Sequence, residues 1–166
     1  GESIIVVTHH GHSPINPTPT PHPYLHELAG QAIELHDWTL RFPQAQPHPI
    51  STVYHLSDPQ SWTELGDTAL LHTMATGQYT ATFTLRKPQK RLHYILDLGD
   101  VRETANVTIN GHEVALLFAV PYRVDITQYL HSGKNTITID VANLGANRIS
   151  QMDREGIQWR KFKEIN

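Results

Sequence analysis

The stretch from Tyr122 to Arg148, YRVDITQYLHSGKNTITIDVANLGANR, constrains the fold more than any other part of the chain. Asp125 and Thr127 open a single helical turn that ends in the apolar pair Tyr129 and Leu130. Asp125 is placed as its N-cap, because its carboxylate can accept the orphan amide of Thr127 or Gln128. Gly133, Lys134 and Asn135 read as a tight turn. Ile137, Ile139 and Val141 then alternate with Thr138, Asp140 and Ala142, the period of a half-buried strand.

The same period recurs upstream. Tyr79, Ala81, Phe83 and Leu85 face one way and Thr80, Thr82 and Thr84 the other, which predicts a sheet with one wet face. Leu92, Tyr94, Leu96 and Leu98 share a face, and Ile95 adds apolar surface opposite, so this strand is expected to be central. Ala105, Val107 and Ile109 run into Asn110-Gly111, followed by a strand from Glu113 to Phe118. Asn-Gly between apolar runs is a strong hairpin signal, because both residues tolerate φ > 0. The first strand is expected over 38–42, with Trp38, Leu40 and Phe42 inward. Trp38 and Trp62 read as packing residues, and His93 as a residue of the wet face. No stretch longer than about two turns keeps a helical period, so the class is an all-β antiparallel sandwich.

The first 32 residues differ. Ser3 to Thr8 reads as one isolated, extended strand. The segment from Pro14 to Pro23 is Pro-rich, and proline fixes φ and removes backbone donors, so it reads as a semi-rigid connector. The expected organisation is an N-terminal strand and connector over 1–32 and a sandwich over 33–166. A chain of 166 residues suits one domain with an extension, and 39% apolar content is enough for a core. The chain starts with Gly, and it reads as a piece of a longer polypeptide.

Composition narrows the partners. A net charge of −3 gives no reason to expect nucleic acid. No apolar run approaches the roughly 20 residues of a membrane span, so no membrane partner is expected. The chain has no Cys, which excludes disulfide and thiolate chemistry. His9, His10 and His12 have a spacing that could hold a metal, but they sit in a Pro-flanked segment without a carboxylate and read as solvated linker. Asn106-Val107-Thr108 is a formal glycosylation sequon placed mid-strand.

Five short motifs occur in order: Asp97-Leu98-Gly99, Ala105 to Gly111, Pro121 to Thr127, Gly133-Lys134-Asn135 and Val141-Ala142-Asn143. Ser61-Trp62-Thr63 and Gly77 to Thr80 precede them. Over roughly residues 34–148 the chain resembles the galactose-binding-like jelly-roll domain of glycoside hydrolases. It is similar to the sugar-binding domain of family 2 enzymes and to the domain near the C-terminus of family 106 α-L-rhamnosidases. The resemblance implies a bacterial protein of the periplasm or the extracellular space, and contact with other domains of a parent hydrolase. Domains of this kind often hold a structural calcium; no Asp-rich loop marks one here, and no cofactor is expected.

Sugar recognition needs planar groups for adjacent hydroxyls and an apolar ring for the C–H face. The loop after the Ile137–Val141 strand carries both: Asn143, Asn147, Arg148 and Asp153 as polar groups, and Trp159, with Phe162, as the ring. The alternative is that Asn143 and Arg148 only brace the loop against the sandwich. Arg148, Arg154, Arg160, Lys161 and Lys163 make the tail basic, which suits a carboxylate-bearing saccharide or a plain solvated tail. Glycosidases need two carboxyl groups about 5–10 Å apart. Asp97, Asp100, Glu103, Asp140, Asp153 and Glu155 are candidates that sequence cannot place against one another, and the resembling domains keep their catalytic acids in a neighbouring barrel. The reading is therefore a non-catalytic carbohydrate-binding or accessory module of a multidomain hydrolase, acting on plant-type, pectic, rhamnose- or uronate-containing oligosaccharide or polysaccharide. The alternatives are a structural spacer and a self-sufficient glycosidase.

Overall fold

The structure, a computed structural model, describes residues 32–158. The strand at Ser3–Thr8, the Pro-rich connector, the His9–His12 cluster, Trp159, Phe162 and the basic residues beyond Trp159 lie outside the described residues.

Eight strands form two antiparallel sheets. They are β1 (Trp38–Gln46), β2 (Ile50–Leu56), β3 (Met74–Leu85), β4 (Ile95–Asp97), β5 (Thr104–Ile109), β6 (His112–Leu117), β7 (Arg123–Asp125) and β8 (Gly133–Ala142). Six of them make one sheet in the order β2-β1-β3-β8-β5-β6, and β4 pairs with β7 in a second, smaller layer. Two short helices, α1 (Thr68–Leu71) and α2 (Ala146–Arg154), and single 3₁₀ turns at Trp62–Glu64 and Thr127–Tyr129 complete the fold. The expected all-β sandwich is what forms.

The register explains the core. Leu40 lies opposite Tyr79, Tyr79 opposite Ile139 and Ile139 opposite Val107, so one row of buried side chains crosses four strands. Trp38, Phe42, Ala81, Ile137, Ile109 and Ala105 project from the same face and are also buried. Trp62, Leu70, Tyr122 and Ile126 close the core from the connecting segments. Trp38 and Trp62 are packing residues, as their spacing implied. Polar tips tie the connections down: Trp38 Nε1 donates to Leu35 O at 2.8 Å, Tyr79 Oη to Gln60 O at 2.9 Å and Tyr122 Oη to Glu103 O at 2.9 Å.

Burial also sets an alkaline limit. It pushes the Tyr79 hydroxyl from 10.0 to about 12. The unfolded chain loses that proton near pH 10, while the folded chain keeps it. This contribution is therefore whole below pH 10 and is lost as pH rises to about 12, reaching about 2.7 kcal/mol. Urea titrations at pH 8 and pH 12 should show that loss in the wild type and a smaller one in Tyr79→Phe; equal losses would reject it.

Turn chemistry agrees with the sequence in two places. Asn110 and Gly111 take φ of 51° and 83° and join β5 to β6. Asp125 Oδ1 accepts from Thr127 N at 2.9 Å as expected, although the residue at the N-cap of the 3₁₀ turn is Ile126 and Asp125 stands one position before it. His93, on the exposed surface, lies 2.7 Å from Asp125 Oδ2.

Three expectations are corrected, and one strand is new. The segment from Leu92 to Leu98 is not a central strand. Only Ile95–Asp97 is strand, it belongs to the two-stranded sheet, and Leu92 is 48% exposed. The central place goes to β8, whose Ile137 and Ile139 fill the core more completely. Gly133, Lys134 and Asn135 are the start of β8 and not a turn. The reversal lies just before them, where the Asn135 side chain closes it through His131. Strand β2, which pairs with β1, was not foreseen. The segment after β8 is not an open loop, because nine of its residues form α2, longer than the two turns expected anywhere.

Candidate functional site

A groove of about 1780 Å³ runs along the core side of the large sheet. Its floor is apolar: Trp38, Tyr79, Phe83, Ile137, Ile139 and Val141. One wall is formed by the start of the described chain and the segment 58–64. The other is formed by the segment around β4 and by Asp100 to Glu103. The second layer holds only β4 and β7 as strands among the described residues, and the floor residues Trp38, Tyr79, Ile137 and Ile139 are themselves part of the buried core. An apolar floor with a polar rim is the usual anatomy of a small-ligand site.

The predicted residues divide at this groove. Asn143 and Asn147 line it, at the end where β8 passes into α2. Asn143 sits partly buried, and its amide is engaged by backbone: Oδ1 accepts from Ala75 N at 2.9 Å and Nδ2 donates to Thr73 O at 2.9 Å. Asn147 is exposed in the first turn of α2. Arg148 and Asp153 lie on α2 outside the groove lining. The Arg148 guanidinium stands 4.0 Å from Glu155, which also accepts from Gln151 at 2.7 Å. The fifth residue, Trp159, follows the described residues.

Trp62 was missed as a groove residue. Its indole lies in the wall, is almost fully buried, and its Nε1 has no hydrogen-bond partner. A buried donor without an acceptor is costly, and the fold carries that cost here. Only the sequence distance between Ser61-Trp62-Thr63 and the β8 strand hid this, since both meet across β3.

Several carboxylates in and near the wall are held by partners. Asp97 Oδ2 pairs with Arg123 at 2.7 Å, and its Oδ1 accepts from Gly99 N at 3.0 Å. Asp100 pairs with Arg102 at 2.9 Å. The His36 hydrogen bond lowers Asp58, and the Tyr54 hydrogen bond lowers Asp67. Burial works against the shift at Asp125, but hydrogen bonds from Thr127 and His93 together hold it below its usual value. A general acid needs the opposite displacement. Among the described residues no group of three or more His, Asp or Glu is placed to hold a metal ion.

An antiparallel sandwich of this kind is the fold of the galactose-binding-like class. Residues 58–166 match the family model for the glycosyl hydrolase 2 galactose-binding domain-like family, and the chain belongs to that family. A Formosa agariphila protein provisionally named a beta-glucuronidase is 31% identical over 116 residues, 68% of this chain. The chain spans only 10% of that relative's length. The solved rhamnosidase from Novosphingobium sp. PP1Y superposes with a TM-score of 0.65 at 27% identity, over 80% of this chain and 13% of its own. A beta-glucuronidase from an uncultured Clostridium sp. shares the fold, with a TM-score of 0.57 at 22% identity, over 68% of this chain and 22% of its own.

Proposed function

We propose that this chain is a non-catalytic carbohydrate-binding module of a larger, exported glycoside hydrolase that acts on rhamnose- or uronate-containing glycans. The observation that carries the reading is the groove with its apolar floor and the exposed amide of Asn147 at its rim. The relatives' names supply the sugar classes. Ion pairing of Asp97 and Asp100, and lowered values at Asp58, Asp67 and Asp125, support binding without chemistry. A second reading, a spacer that positions a catalytic domain, is favoured by the engagement of both polar atoms of Asn143 with β3 backbone.

Calorimetric titration separates the two. A rhamnose–galacturonate tetrasaccharide should bind, and Asn147→Ala and Trp159→Ala should each weaken it about fivefold, the loss of roughly one hydrogen bond or apolar contact. Xylotetraose should bind more weakly, and the difference should shrink at high salt if basic side chains read the uronate. Absence of heat with either sugar would leave the spacer.

A further inference from the structure

The groove uses one side of the six-stranded sheet, and the other side carries a second arrangement. Its register places Arg41 opposite Gln78, Gln78 opposite Asp140, Asp140 opposite Asn106 and Asn106 opposite Leu116. These five side chains cross five strands in one row, roughly 19 Å long at about 4.8 Å per strand. Gln78 Nε2 donates to Asp140 Oδ1 at 2.9 Å. The second Asp140 oxygen, the Arg41 guanidinium and the Asn106 amide have no hydrogen-bond partner among the described residues. A parallel row of hydroxyls from Thr39, Thr80, Thr138 and Thr108 lies beside it, with the Thr80 and Thr138 oxygens 3.4 Å apart.

The row ends in exposed apolar surface. Leu116 is 62% exposed, and Phe118, one residue past β6, is 73% exposed. Planar amide, carboxylate and guanidinium groups in line suit the paired hydroxyls of a sugar chain, and an exposed aromatic suits a C–H face. A protein docked here would have to strip water from Arg41 and Asp140 and find each a partner. An oligosaccharide brings hydroxyls able to serve both.

We propose that the outer face of the six-stranded sheet is a second oligosaccharide-binding surface. Asn106, Asp140, Gln78 and Arg41 take hydroxyls of successive rings, and Leu116 and Phe118 contact the ring faces at one end. The inference shares its ligand class with the proposed function and uses none of the groove residues.

Amide chemical shifts of the ¹⁵N-labelled chain, followed during titration with the rhamnose–galacturonate tetrasaccharide, test it. Shifts are expected at Asn106, Asp140, Leu116 and Phe118, and Asn106→Ala and Phe118→Ala should each raise Kd at that face about fivefold, with thermal midpoints near the wild type. Shifts confined to Asn147 and its neighbours would overturn this inference and leave the groove reading standing. Shifts on the outer face alone would do the reverse, and none at either face would remove both. If the same amides become buried in a longer piece of the parent polypeptide and stop responding to sugar, the face is a docking surface and the proposal is wrong.

Discussion

Asn135→Ala should cost the fold about 4 kcal/mol, more than half the stability of a marginal domain. Asn135 is fully buried at 0% exposure and makes four hydrogen bonds. Its Oδ1 accepts from His131 N at 3.0 Å and from Asn110 Nδ2 at 2.8 Å. Its Nδ2 donates to His131 O at 2.8 Å and to Gly133 O at 3.0 Å. Asn110 extends the network, donating to Tyr129 O and accepting from Thr136 N, each at 2.8 Å. Alanine would leave two buried donors and two backbone carbonyls to find other partners, and each unsatisfied group costs about 1–3 kcal/mol, with partial relief from rearrangement. Urea unfolding measures the loss. Asn135→Asp should also be destabilising, because it keeps the acceptor and loses both donors. A loss below about 1 kcal/mol in Asn135→Ala would mean that water replaces the amide and that the network is dispensable.

Gly77→Val should cost about 3 kcal/mol or more through steric conflict. A Cβ at Gly77 would lie 2.6 Å and 2.9 Å from two carbons of the Trp62 six-membered ring and 3.2 Å from Leu40. The indole cannot swing aside cheaply, because it also packs edge-to-face on Phe42 at 5.5 Å and 86°. Overpacking a filled core typically costs 1–3 kcal/mol, and a branched side chain stands at the upper end of that range. Gly77→Ala should be milder but still destabilising. The pair Gly77→Ala with Trp62→Phe tests the cause: a smaller ring should recover part of the loss. Additive losses in the double variant would show that Trp62 is not what Gly77 makes room for.

How much of this was legible follows from what each signal depends on. The alternation in Tyr79–Leu85 and Ile137–Val141 was readable because one face of those strands meets water and the other meets the core. Asn110-Gly111 and Asp125 were readable because a hairpin turn and a cap are local events. The 92–98 segment misled because its apolar residues are only half-buried against the core from a short strand of the small layer, and an apolar run does not show which layer it joins. Helix α2 was hidden because Asn147, Arg148 and Asp153 were weighed as ligand groups rather than by their helical spacing. For the site, Asn147 was placed at the groove, while Asn143 is spent on the backbone of β3, which only the pairing of β3 with β8 decides. The row from Arg41 to Asn106 was invisible for the same reason: its members are far apart in sequence and are joined only by register.

The sheet order has a consequence for how the molecule is made. β8 lies between β3 and β5, although among the described residues it is the last strand in sequence. Leu85 must wait for Gly133, and Thr76 for Ala142, before their backbone groups pair. During synthesis the β1–β2–β3 meander and the β5–β6 hairpin emerge as two separate pieces, and β8 joins them later in one event. Such long-range pairing slows folding and leaves β3 with an open edge until it happens. Until β8 has emerged the nascent chain keeps that edge exposed, and β8 acts as the clasp that closes it.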